Sequence, residues 1–245
     1  MYFDPTYLVF ILPALALSLW ASWRTHSAFK KYSRVRTVRG LTGAQAAEEM
    51  LRGAGISVVM ARQMPGERRE PQAGVVQIVP ARGFLSDHYN PADRTLALSE
   101  ATYASNSVAA VGVACHEAGH ALQHVEGYKP MWLRSALVPT ANIGSSAGYL
   151  VMLGGLLFHS ANLIYFGALL FSCVLLFQIV TLPVEFDASN RAKRLAVENG
   201  IVLPQEREGM DKVLNAAAMT YVAAVVSTLM TLLYYLLRAS SMSRR

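Results

Sequence analysis

Four long stretches of this chain carry no charge, and the ionisable residues are gathered between them. The runs cover residues 7–23, 136–158, 161–183 and 214–237. A bilayer hydrocarbon core about 30 Å thick needs roughly 20 apolar residues in a helix, so each run predicts a membrane span. Only His159 and Ser160 separate the second and third runs, which predicts a tight hairpin. Within 136–158, Gly144 and Gly148 have the small-xxx-small spacing of closely packed helices.

The polar stretches carry shorter patterns. Residues 41–53 predict a helix capped by Thr42 and ended by Gly53 and Gly55. Val- and Ile-rich segments at 56–60 and 74–79 predict strands, with 65–71 a solvated turn between them. Residues 83–91 read as a polar, turn-rich loop and 95–98 as a short strand. The alanine-rich stretch from 107 to 125 predicts a helix, with Asn106 or Ser107 as its N-cap. A strand just before that helix has two readings: a sheet edge on which an extended peptide docks, or a strand that only closes the sheet.

Composition and charge sharpen this picture. The 245 residues are 53% hydrophobic with a net charge of +6, too apolar for an ordinary soluble domain. Two cysteines, Cys115 and Cys173, lie in apolar surroundings and form no redox or disulfide pattern. The first run has no Lys or Arg before it and six within 24–39 after it. That order is the reverse of a cleaved signal peptide and predicts a retained anchor with its N-terminus outside. With four spans, 24–135 and 184–213 then face the cytoplasm and hold 19 of the 22 Lys and Arg. The basic cluster beside the first span suits anionic lipid rather than nucleic acid.

Within the 107–125 helix stand His116-Glu117-Ala118-Gly119-His120. Positions four apart share a helix face, so both imidazoles can reach one metal ion. Glu117 stands about 100° round the helix, where a general base takes a proton from water at the metal. The bland alternative is a helix with two surface histidines. Alanine and glycine on every side argue instead for a buried helix, in which a carboxylate needs a compensating cation such as Zn²⁺. A catalytic zinc needs a third protein ligand. His124 lies about 12 Å along the helix from His116, too far. Gln123 and Lys129-Pro130 stand where a metzincin would carry its glycine and third histidine. Glu185 and Asp187, just past the third run, are the remaining candidates.

Four segments resemble the bacterial membrane-bound neutral zinc metallopeptidase family: Leu85-Ser-Asp-His-Tyr89, His116 to His124, Leu182-Pro-Val-Glu-Phe-Asp-Ala-Ser189, and Ala216-Ala-Ala-Met-Thr-Tyr221. The resemblance spans nearly the whole chain. It implies a bacterial plasma-membrane enzyme with zinc at the histidine pair. More distantly the pattern resembles gluzincin peptidases of membrane-protein quality control, which take a Glu ligand from a later E-x-x-x-D helix. Glu185 matches that ligand. Ser189 stands where their Asp would be, and the nearby acid is Asp187.

The combined expectation is a mainly α, polytopic membrane protein with about four transmembrane helices and a small α+β, zincin-like cytoplasmic region. Its parts are an anchor (1–23), the region with the motif helix (24–135), a transmembrane hairpin (136–183), a cytoplasmic helix bearing the third ligand (184–213), and a last span with its tail (214–245). The expected activity is zinc-dependent endopeptidase, with one catalytic zinc on His116, His120 and Glu185 and Glu117 as base. A helix opening at Pro183 would put Glu185 on a face with Leu182, Ser189 and Ala192, and Asp187 on the opposite side with Arg191 and Arg194. His88, Tyr89, Tyr128 and Tyr221 are candidates for a second oxyanion donor. Expected partners are the bilayer and a protein or peptide substrate, with an oligomeric or regulatory membrane partner left open. Two rivals are a site-2-type intramembrane protease and a non-enzymatic scaffold with a structural zinc. The intact Glu117 argues against the scaffold, and the long region before the motif against the site-2 type.

Overall fold

A computed structural model describes residues 5–60, 74–83 and 86–243. The protein is mostly helical, and four of its helices are long and apolar enough to cross a membrane: Pro5–Tyr32, Lys129–Leu157, Ala161–Glu198 and Pro204–Ser243. The expected turn at 65–71 lies outside the described residues. The chain forms two compact units. One comprises Met1–Trp23, Lys129–Pro183 and Ala218–Arg245, the other Arg24–Tyr128 and Val184–Ala217.

The first unit is built from apolar helix. It holds the start of α1 (Pro5–Tyr32), α5 (Lys129–Ile143), a π-turn at Gly144–Gly148, α6 (Tyr149–Leu157), most of α7 (Ala161–Glu198) and the end of α8 (Pro204–Ser243). Met152, Ile164, Leu232, Tyr234 and Tyr235 form its buried centre. Large side chains such as Leu19, Phe158 and Leu169 remain exposed, as lipid-facing residues do. Glycines let the hairpin close tightly, as their expected spacing requires. A Cβ added at Gly148 would meet the backbone nitrogen of Phe171 at 2.7 Å, and one at Gly155 the nitrogen of Ile164 at 2.7 Å.

The second unit contains a four-stranded sheet in the order β1-β2-β4-β3: β1 (Ser57–Met60), β2 (Val75–Ala81), β3 (His88–Asn90) and β4 (Thr95–Ser99). β1, β2 and β4 run parallel, and β3 pairs antiparallel with β4. Val76 and Ile78 are buried on one face of β2, the pattern that fixes strand register, whereas β4 is buried on both faces from Leu96 to Ser99. The helices α2 (Gly43–Gly53) and α4 (Val108–Val125) pack together, and the short α3 (Glu100–Tyr103) joins β4 to α4. A capping box of Thr42 and Gln45 opens α2, and Ser107 caps α4 by accepting from the Ala110 N–H at 3.2 Å.

Two expectations about elements need correction, and one pair of alternatives is decided. The stretch 83–91 is not all loop, because His88–Asn90 forms β3. Only three residues long and flanked by turn formers, it carries too little pattern to read. The strand before the motif helix, β4, is paired on both sides, so it is no free sheet edge. Pro183 does not open a helix; it lies inside the continuous α7.

Candidate active site

α4 is an almost wholly buried helix. From Val108 to Gln123, only Val113 and His116 escape full burial. Its alanines and glycines let it approach α7 closely. A Cβ at Gly119 would meet the carbonyl oxygen of Ala188 at 2.6 Å. Ala188 and Ala192 are themselves fully buried on α7. His116, Gly119, His120 and Gln123 thus form the contacting face of α4, and Glu185, Ala188, Ser189 and Ala192 that of α7.

Across this contact, Glu185 Oε2 lies 3.2 Å from His116 Nε2 and 3.5 Å from His120 Nε2. Ligand atoms of these three residues all lie within 4.8 Å of one another. Tetrahedral zinc with bonds of about 2.0–2.1 Å separates its ligand atoms by about 3.3 Å, so the three groups fit one zinc ion. The other ring nitrogens are already engaged. His116 Nδ1 lies 3.1 Å from Ser189 Oγ, and His120 Nδ1 lies 3.0 Å from Gln123 Oε1. Gln123 Oε1 can only accept, so His120 Nδ1 donates and its Nε2 keeps a lone pair for a metal; at His116 the Ser189 hydroxyl can accept in the same way. Burial pulls the His120 imidazole down, while the Glu185 carboxylate more than compensates and leaves it raised.

Glu117 sits beside this point, 9% exposed, and its carboxylate makes no hydrogen bond or ion pair among the described residues. Asp187 is turned away. It accepts from Gln123 Nε2 at 2.8 Å and from Arg191 Nε at 2.6 Å. Gln123 Nε2 also donates to the Val184 carbonyl at 2.8 Å. Asp187 therefore reaches His120 only through the Gln123 amide, while the expected pairing with Arg191 is present. Ser189, at the position of the gluzincin Asp, takes the imidazole that the Asp would take.

The role of Gln123 was not foreseen. Its signal is a fully buried glutamine three residues past His120, on the same helix face. Of the oxyanion-donor candidates, Tyr89 is buried with its hydroxyl 2.8 Å from His124 Nδ1. His88 is exposed, with Nδ1 2.8 Å from the Ser86 carbonyl. Tyr128 lies under the Arg191 guanidinium, 5.8 Å from its ring centroid, and Tyr221 belongs to the other unit.

The fold and this site define a polytopic membrane metalloprotein of the H-E-x-x-H class. The family model described as "Putative neutral zinc metallopeptidase" matches residues 7–71 and 69–240, and the chain belongs to that family. It is also 42% identical over 226 residues, 92% of this chain and 93% of the relative, to "Putative membrane protease YugP" of Bacillus subtilis (strain 168). No solved structure matches the chain. The cofactor of this family is zinc, and the donor set at His116, His120 and Glu185 suits it.

Proposed function

We propose that the protein is a membrane-embedded zinc endopeptidase that cleaves peptide bonds at the cytoplasmic face of a bacterial plasma membrane. The observation that carries this reading is the pair of imidazole Nε2 atoms converging on one Glu185 oxygen, with an unpaired Glu117 carboxylate alongside. His116, His120 and Glu185 hold the metal. When bound, zinc supplies the positive charge that makes water acidic and polarises the scissile carbonyl.

Glu117 takes the proton from the attacking water as its oxygen adds to the carbonyl carbon. Glu117 then delivers that proton to the amine nitrogen as the C–N bond breaks. Ser189 and Gln123 keep both imidazoles in the required tautomer and orientation. α4 is not one of the four helices suited to span a membrane, which favours a site outside the hydrocarbon over an intramembrane one. The concentration of 19 of the 22 basic residues in the two polar segments that share one side supports the cytoplasmic reading. The likeness to quality-control gluzincins suggests membrane proteins as substrates.

The test is casein cleavage and metal content of the purified full-length protein. Wild type should cleave and hold one zinc. Glu117→Gln should keep the zinc and lose on the order of 10²–10⁴ in rate. Wild-type activity in that variant would remove Glu117 as the base. Zinc without any cleavage by the wild type would favour the structural-zinc scaffold.

A further inference from the structure

The cytoplasm-proximal end of α1 lines a cavity of about 460 Å³ whose walls are Thr25, His26, Phe29, Lys30, Ser33, Arg34 and Ala101. Cavities of about 300–1,000 Å³ suit small ligands. His26, Lys30 and Arg34 recur every fourth residue, and all three are exposed. Thr25, Phe29 and Ser33 form the adjoining row. The Thr25 hydroxyl is spent on the Ala216 carbonyl at 2.9 Å, and the inner wall is otherwise the Phe29 ring and Ala101. No carboxylate lines the cavity, and neither Lys30 nor Arg34 has an ion-pair partner among the described residues.

Depth decides what such a site meets. α1 is one helix from Pro5 to Tyr32, and its uncharged run ends at Trp23. At 1.5 Å per residue, His26 and Lys30 lie about 4 and 10 Å beyond that end. The headgroup layer of a bilayer is on the order of 5–8 Å thick on each side. His26 therefore stands within the headgroup layer and Lys30 one turn further out, from where its flexible side chain reaches back to phosphate depth beside the Phe29 ring.

We infer that this cavity is a binding site for one anionic phospholipid. The lipid phosphate sits on Lys30 and Arg34, and the start of an acyl chain lies along Phe29 and Ala101. Diffuse attraction of a basic segment to an anionic surface would treat every nearby cation alike, whereas a built site does not. Lys31, next in sequence, points elsewhere; its ammonium lies 5.4 Å from the Tyr32 ring centroid.

The experiment uses full-length protein reconstituted in phosphatidylcholine vesicles doped with phosphatidylglycerol. Retained phosphatidylglycerol is counted by native mass spectrometry. Wild type should retain one molecule of phosphatidylglycerol in preference to phosphatidylcholine. Lys30→Ala and Arg34→Ala should each weaken retention about fivefold, and Lys31→Ala should leave it unchanged. Ala101→Trp keeps every charge but fills the hollow, and it should also displace the lipid. Thermal unfolding of each variant checks that it folds. Equal loss in Lys31→Ala, or undiminished retention in Ala101→Trp, would overturn the site. So would full displacement of the lipid by inorganic phosphate at matched concentration, which would mark a free-anion site.

Discussion

The backbone of α7 passes so close to α4 that a Cβ on Gly119 would stand 2.6 Å from the Ala188 carbonyl oxygen. Backbone cannot yield as a flexible side-chain tip does, so any larger residue at 119 must push the two helices apart. Gly119→Ala should destabilise the protein by about 1–3 kcal/mol and lower its zinc content, read by thermal unfolding and metal analysis. Gly154→Ala, which meets nothing within 4 Å, serves as the neutral control. A Gly119→Ala protein that binds zinc and melts like wild type would show that the close approach does not set the site.

Glu185 and Asp187 are two residues apart and do different things. Glu185→Ala should leave dialysed protein without zinc. Asp187→Ala should keep most of it, because the Val184 carbonyl still holds the Gln123 amide. Ser189→Ala and Gln123→Ala, which free the two Nδ1 atoms, should weaken zinc binding about 10–100-fold in chelator competition. Zinc loss in Asp187→Ala with retention in Glu185→Ala would reverse the two roles.

Orientation is open to direct labelling. With Cys115 and Cys173 replaced, a cysteine at the exposed Ser57 should resist an impermeant thiol reagent in intact cells and react after lysis. Reaction in intact cells would invert the topology.

Burial pushes the Tyr89 phenol up to about 12 from an ordinary 10.0, with Arg94 partly opposing. The folded state therefore holds this proton to higher pH than the unfolded chain does. The associated stability is intact below pH 10 and is lost as pH rises toward 12. Tyr89→Phe should flatten the fall in unfolding temperature across that window. An unchanged slope would mean that other groups govern the alkaline transition.

Helical spacing is local, so the sequence makes the motif helix and the Glu185–Ser189–Ala192 face readable. The length of the four uncharged runs likewise makes the four apolar helices readable. β3 is hidden because three residues are too few to establish a period, and without it the sequence leaves β4 equally open as a sheet edge or as a strand that only closes the sheet. Pro183 resembles a helix start because proline fits the first turn, yet in apolar helices a lost backbone bond is often tolerated. The bond from Gln123 to His120 lies within one helix turn and follows from spacing. Its second and third partners, Val184 and Asp187, lie more than sixty residues away and depend on tertiary structure that no local pattern encodes.

Between His116 and Glu185 the chain runs through 69 positions, including the whole apolar hairpin of α5, α6 and the first part of α7. The site-bearing unit is correspondingly discontinuous. During synthesis, which proceeds from the N-terminus, both histidines emerge well before the carboxylate that completes them. A nascent or truncated chain ending before Val184 has the motif and lacks Glu185. In the proposed peptidase, biogenesis would thus act as an activation step: the three metal-holding side chains come together only after the hairpin has been made, and a half-inserted chain would be silent.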